Sequence, residues 1–291
     1  MKARCFPKNN YLSIYDKGKT FRFQIEDDLP ITELEYPEFY DIKITNKCSG
    51  KCPWCYQDST EEAEHFDDIL KKTEAFFGIM DNNQKPFQVA IGGGNPNEHP
   101  DFVALVRYLH SIGVTPNYTT NGMGLDETVL AATAKYCGGV AVSAHPHLEE
   151  YWKPAIVELC RIPKLVVNVH VIISDYQSID ELHNIYMTYR DAVKYFVLLP
   201  YEAAGRAPEK DIDFTYLEEI LNRLGPGELS QMAFGAGFYE WLLDKPYPMS
   251  LYEPELMSKY LDMSTMKLYK SSFDLTEVSL PGVLHEAALC S

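Results

Sequence analysis

The chain has 291 residues, 46% of them hydrophobic, and a formal net charge of -16 at pH 7. That length can bury one large core. The charge excess disfavours nucleic acid, whose phosphates are held chiefly by Lys and Arg, and is compatible with a basic peptide or a cationic small molecule. No apolar run reaches membrane-spanning length, and the opening Met1-Lys-Ala-Arg-Cys-Phe-Pro lacks the apolar core of a secretion signal. Seven cysteines, three clustered and four scattered (Cys5, Cys137, Cys160 and Cys290), argue against a disulfide framework and for a reducing compartment. A soluble cytoplasmic protein is expected.

In chain order, residues 11–23 alternate apolar and polar side chains on both sides of Asp16-Lys17-Gly18, which predicts a β-hairpin. A strand over 39–45 then leads into Cys48-Ser-Gly-Lys-Cys52-Pro-Trp-Cys55-Tyr56. Soft thiolates suit iron-sulfur clusters and zinc alike. Three of them in a CxxxCxxC spacing can hold a [4Fe-4S] cluster by three irons, which leaves the fourth iron open, whereas a closed zinc site asks for a fourth Cys or His at a short offset. None follows at that offset; His65, ten residues beyond Cys55, is read as a solvated histidine on a helix over 60–77.

Further strands are predicted over 87–91, 116–120, 139–143, 165–173 and 195–199, separated by amphipathic helices over 100–111, 126–136, 148–161 and 178–190. The βα unit thus repeats about six times, the pattern of a parallel sheet. In a parallel barrel the ligand sits at the carboxyl ends of the strands. The cysteines, Gly92-Gly93-Gly94-Asn95, Thr120-Asn121, Ser143 and Pro200-Tyr201 all follow strand ends, with His145 and His170 at or near them. Arg206 falls in the barrel mouth, where it either fixes the loop by a salt bridge or holds a carboxylate. Beyond it come a predicted helix over 213–224, Gly235-Ala-Gly-Phe238 and the aromatic stretch 259–273.

The cysteine loop, with Trp54 before its last cysteine and Tyr56 after it, resembles the cluster loop of the radical S-adenosylmethionine (SAM) superfamily. The likeness covers roughly residues 36–206. It implies a partial (β/α)6 TIM barrel, with domains at 1–35 (hairpin extension), 36–206 (barrel) and 207–291 (a small α/β extension covering the barrel). It also implies that Cys48, Cys52 and Cys55 ligate one [4Fe-4S] cluster whose open iron takes the amino and carboxylate groups of SAM. Reductive cleavage then gives a 5′-deoxyadenosyl radical that abstracts hydrogen from a substrate.

By the same resemblance Gly92, Gly93, Gly94 and Asn95 stand for the Gly-Gly-Glu-Pro segment that receives the methionine amino group, with Asn95 where Glu is frequent. Thr120 and Asn121 match a Thr-Asn-Gly strand end, Ser143 a serine that bonds the ribose or carboxylate, and Trp54 a residue beside the adenine. Residues 259–273 look like a worn version of the SPASM or twitch region of peptide-modifying relatives. Serines stand at 271 and 272 where a cluster cysteine is expected, so one cluster only is predicted. The branch points to a peptide or protein side chain as substrate and to an external electron donor such as flavodoxin or ferredoxin. A small metabolite or nucleoside stands as a second substrate class, and a zinc-binding or non-catalytic SAM-binding interaction protein as a second kind of function.

Overall fold

The computed structural model describes residues 1–16, 18–210, 212, 214–245 and 254–279. Lys17 of the predicted hairpin turn, Asp213 at the predicted helix start and Cys290 lie outside the described residues.

The amino-terminal hairpin forms, and a strand precedes it. β1 (Lys2–Phe6), β2 (Tyr11–Asp16) and β3 (Lys19–Gln24) make a three-stranded antiparallel sheet in that order. β1 escapes a sequence reading because its alternation runs over only five residues, of which only Arg4 is buried. The sheet is fastened to the rest through Glu38, which is 2% exposed and accepts hydrogen bonds from Tyr11 Oη (2.6 Å) and Arg22 Nε (2.7 Å). Charged groups at such depth are retained when paired and hydrogen-bonded.

The βα repeat follows: β4 (Phe39–Thr45), α1 (Ile69–Gly78), β5 (Gln88–Gly93), α2 (Phe102–Ser111), β6 (Thr115–Thr120), α3 (Glu127–Tyr136), β7 (Gly139–Ser143), α4 (Glu149–Cys160), β8 (Val166–Ile173), α5 (Tyr176–Tyr189), β9 (Tyr195–Pro200) and α6 (Thr215–Arg223). β4 to β9 pair in parallel and in sequence order. Local signals start two of the helices. The Asp126 carboxylate accepts from Val129 N at 2.8 Å, and Asp175 forms a reciprocal cap with Ser178.

Alternate residues of each strand are buried: Tyr40, Ile42 and Ile44 on β4, Val89 and Ile91 on β5, Val167, Val169, Val171 and Ile173 on β8. These pack with α1 to α6 in one continuous core, each side chain contributing about 1.5–3 kcal/mol. The other face carries small or polar side chains, among them Asp41, Ala90, Gly92, Thr119, Ser143 and His170. All six line a single cavity together with Leu199 of β9. Residues from both ends of a six-strand row meet around one space only if the sheet curls, so the repeat is an open (β/α)6 barrel.

Both edges of that barrel are extended by the last third of the chain. β10 (Met232–Phe234) adds in parallel to β9, and β11 (Ser258–Asp262) adds in parallel to β4. β12 (Lys267–Tyr269) turns back antiparallel on β11.

Two expectations are corrected. The helix placed over 60–77 begins only at Ile69. Residues before it pair with the chain leading to the cysteines instead: Thr60 bridges Lys47 and His65 bridges Thr45. Backbone pairing there overrides the helix propensity of Glu61-Glu-Ala-Glu64. His65 is therefore not a solvated helix residue. Its Nδ1 lies 3.0 Å from Thr45 Oγ1 and its ring meets His99 edge-on.

Candidate functional site

The cysteine loop leaves the carboxyl end of β4 and is tied down at its root. Lys47 N donates to Thr45 Oγ1 (2.9 Å), Cys48 N to Thr60 O (2.8 Å) and Asp58 N to Cys55 O (3.1 Å). Lys51 and Asp58 adopt positive φ, 51° and 52°, which lets the loop reverse. Two side chains from the segments that follow β7 and β9 grip it. His147 Nε2 donates to Gly50 O (3.0 Å), and Arg206 donates from Nε to Cys52 O (2.8 Å) and from Nη2 to Ser59 O. Arg206 Nη1 lies 3.4 Å from Asp58 Oδ1. Arg206 is thus the brace of the loop, and its guanidinium has no arm left for a bidentate carboxylate.

Gly205 makes that brace possible. Its φ is 61°, and a Cβ there would stand 2.5 Å from Tyr56 O. Replacing Arg206 by Met keeps the apolar stem and removes the donors, at a cost of about 1–3 kcal/mol to the loop. The expected result is faster amide hydrogen exchange at residues 52–59 and lower iron retention on gel filtration. Unchanged exchange there would refute the bracing role.

The glycine segment packs against the same loop. Gly94 N donates to Thr45 O (2.8 Å) and Asn95 N to Lys47 O (3.1 Å). A Cβ at Gly93 (φ 108°) would lie 2.4 Å from Thr45 O, and one at Gly94 would lie 2.0 Å from Lys47 O. Gly92 is different, because a methyl group placed there would meet no heavy atom within 4 Å. Two of the three glycines serve close backbone approach, and the third leaves open space in the cavity wall.

Asn95 is 2% exposed, and its amide is saturated. Nδ2 donates to Glu98 Oε1 (2.7 Å) and Met123 O (2.9 Å), while Oδ1 accepts from Thr120 Oγ1 (3.0 Å) and Asn121 N (3.4 Å). Thr120 Oγ1 also accepts from Gly122 N at 3.0 Å. The side chains of Asn95 and Thr120 therefore lock the ends of β5 and β6 to each other. What they offer a ligand is the position of the backbone around them. Asn121 reaches further, donating from Nδ2 toward Cys48 Sγ (3.6 Å), as does Gly50 N (3.4 Å).

The structure gathers Cys48, Cys52, Cys55, Trp54, Gly92, Gly93, Gly94, Asn95, Thr120, Asn121 and Ser143 around one cavity of ≈ 350 Å³. That volume falls within the span of small-molecule sites, about 300–1,000 Å³. Burial, and then the neighbouring Cys48 and Cys55, push the Cys52 thiol up to about 12; burial also raises Cys48. Without a metal those two thiols are held protonated, and metal binding would release their protons. His145 and His170 line the same cavity and are pushed down to about 4, by burial foremost. They are neutral imidazoles. Trp54 meets His147 and His145 edge-on at 5.3 and 5.9 Å, and its buried Nε1 has no hydrogen-bond partner among the described residues.

Sequence reasoning passed over Asp41, Glu202, Tyr260 and Phe273, which line the cavity too. Asp41 faces inward on β4, and the protein mass around it pushes its carboxyl up to about 7. The signal available was its position, an acidic residue two places from Lys43 on the polar face of an otherwise apolar strand. Tyr260 and Phe273 were out of reach, because nothing local places β11 beside β4.

These residues fit an iron-sulfur centre. Three thiols share one wall, two N–H groups already point at the sulfur of Cys48, and Gly92 leaves room beside them. Among the described residues no three of His, Cys, Asp and Glu converge on a point where a single metal ion would sit. A cluster makes no such demand, since each cysteine binds its own iron.

The family model of the radical SAM superfamily matches residues 42–161. That stretch is a radical SAM domain. The matched stretch runs from β4 to the end of α4 and holds all three cysteines. The radical SAM barrel is also similar to solved structures. SuiB of Streptococcus suis bound to precursor peptide SuiA aligns with a TM-score of 0.58 at 15% identity over 82% of this chain and 60% of that one. The same enzyme bound to S-adenosylmethionine gives 0.57 at 15% identity, over 85% and 64%. Native anSMEcpe with bound AdoMet gives 0.58 at 12% identity, over 86% and 80%. At these identities the likeness carries the fold, and the chain spans about 60% of the length of SuiB. No helix among the described residues is long and apolar enough to cross a membrane.

Proposed function

We propose that the protein is a radical SAM enzyme acting on a peptide or protein side chain. The observation that carries the proposal is the convergence of Cys48, Cys52 and Cys55 with the glycine segment, Asn121 and Ser143 on one cavity at the carboxyl ends of the barrel strands. When bound, a single [4Fe-4S] cluster and SAM supply reductive carbon-sulfur cleavage and a 5′-deoxyadenosyl radical for hydrogen abstraction.

The chain's own part is to hold and shield. Cys48, Cys52 and Cys55 ligate the cluster, and Asn121 and Gly50 donate to the Cys48 sulfur, a contact that raises the reduction potential of such centres. The backbone of residues 92–95, fixed by the Asn95 network, would receive the amino group of SAM, Ser143 would bond its ribose or carboxylate, and Trp54 would stand by its adenine. Neutral His145 and His170 close the wall without adding charge. Residues 36–206 form the reacting barrel, with 1–35 and 207–291 as its covers. An external flavodoxin or ferredoxin supplies the electron.

Support for a peptide substrate comes from the fold shared with SuiB and anSMEcpe, the latter also solved with Cp18Cys peptide, and from a wide cleft of ≈ 1030 Å³ leading to the cavity. The test is anaerobic reconstitution with iron and sulfide, followed by assay of 5′-deoxyadenosine under a strong reductant with and without peptides. Nucleoside formation is expected. A chain that retains zinc in place of iron, or loads iron and releases no nucleoside, would contradict the proposal.

A further inference from the structure

We infer that the β4–β11 wall of the cavity binds a cationic group of the substrate, an ammonium or guanidinium, with Asp41 as its counter-charge. The inference rests on the reading above in one respect, that this cavity is where substrate is held.

Asp41 has no hydrogen bond or ion pair from its carboxyl to any described residue, although it sits inside the barrel. Carboxylates in such places are ordinarily paired, because an isolated one is costly to desolvate. Its cross-strand neighbour on β11 is Tyr260. Tyr56 and Phe273 complete the surround, with ring centroids 4.7 Å apart and exposures of 38% and 50%, high for large apolar side chains. A carboxyl among aromatic faces is a setting that attracts cations.

The wider charge distribution agrees. The cavity lining contains Asp41 and Glu202 and no Lys or Arg. Asp41, Glu202, Ser272 and Phe273 also line the outer cleft, whose walls add Glu240, Glu255 and Asp274 against Arg22 and Lys270. Neither base offsets the inner carboxyl. Arg22 is bound to Glu38, and Lys270 lies 3.9 Å from Glu255 and 3.7 Å from Asp274. An anionic path therefore runs from the surface to Asp41, and such a path steers cations inward.

The test uses reconstituted, unreduced protein with saturating SAM, titrated by ligand-observed NMR with Nα-acetyl-lysine methylamide, its neutral isostere Nα-acetyl-norleucine methylamide, and putrescine. The lysine probe should bind at least about tenfold more tightly than the norleucine probe. Asp41→Asn should reduce that preference to less than about twofold, and added salt should weaken the lysine probe alone. The salt series reads the same charge recognition in the unmutated protein, should the variant misfold. Tighter binding of the lysine probe than putrescine marks a peptide side chain and the reverse a free amine, both upholding the inference. Equal binding of the two isosteres, a preference that survives Asp41→Asn, or an equal loss of SAM affinity in that variant would overturn it. Because no reductant is present, failure to form 5′-deoxyadenosine leaves this readout untouched and counts against the enzymatic proposal alone.

Discussion

Cys52→Ala is expected to lose its cluster and all formation of 5′-deoxyadenosine while remaining folded. The unsubstituted chain should take up about four irons on reconstitution. With two thiolates left, the variant cannot hold a cube at three corners, and its visible sulfur-to-iron absorption should disappear. The fold should survive because Cys52 is only partly buried against the core. Its protonated thiol acts there as a small apolar group, worth about 1 kcal/mol. Iron analysis and circular dichroism on the same sample separate the two effects. Full iron content, or undiminished nucleoside, in the variant would remove the basis for assigning this loop to a cluster.

Gly94→Ala is expected to destabilise the protein by about 3 kcal/mol, a fall in Tm of roughly 5 °C or more for a chain of this size. Its Cβ would stand 2.0 Å from Lys47 O and 2.7 Å from the carbonyl carbon. Both are backbone atoms at the root of the cysteine loop, so no rotamer change relieves the contact. Gly92→Ala makes the comparison decisive, since its methyl meets nothing within 4 Å. That variant should keep its Tm and bind SAM more weakly, because the methyl occupies cavity space. Equal Tm values for the two variants, from thermal denaturation followed by circular dichroism, would mean that the close approach at Gly94 is not a structural requirement.

This contrast bears on how much of the site was legible in advance. Read along the chain, Gly92, Gly93 and Gly94 are interchangeable, and the resemblance gives all three to the cofactor. In the fold all three line the cavity, but only at Gly92 would a methyl group meet open space, whereas Gly93 and Gly94 are pressed against residues 45–47. Asn95 shows the same limit from the other side. The resemblance places it where glutamate is frequent, and each of its side-chain polar atoms is spent on Glu98, Thr120, Asn121 or Met123. Arg206 is an intermediate case, in which a brace was one of two roles foreseen and the groups braced, Cys52 O and Ser59 O, were not.

The barrel strands were recognisable because their signal is local. Predicted strands at 39–45 and 139–143 coincide with β4 and β7. Period-two burial depends only on which side chains alternate, and the sequence writes that alternation out. The helix expected over 60–77 fell short for the opposite reason: its first half finds hydrogen-bond partners in residues 45–48, and no local pattern records such a pairing.

From its residues alone, then, the chain determined the βα repeat, the three-cysteine loop and the placement of polar groups at strand ends, since each follows from spacing within a short window. Tertiary structure decided which of those groups face the cavity and which brace it, and it brought β11 to the free edge of β4. That addition sets Tyr260 beside Asp41 across more than two hundred residues of chain. Closing so long a loop depends on the summed burial of a whole domain rather than on any segment's own preference, and for that reason the cationic subsite became visible only in the folded molecule.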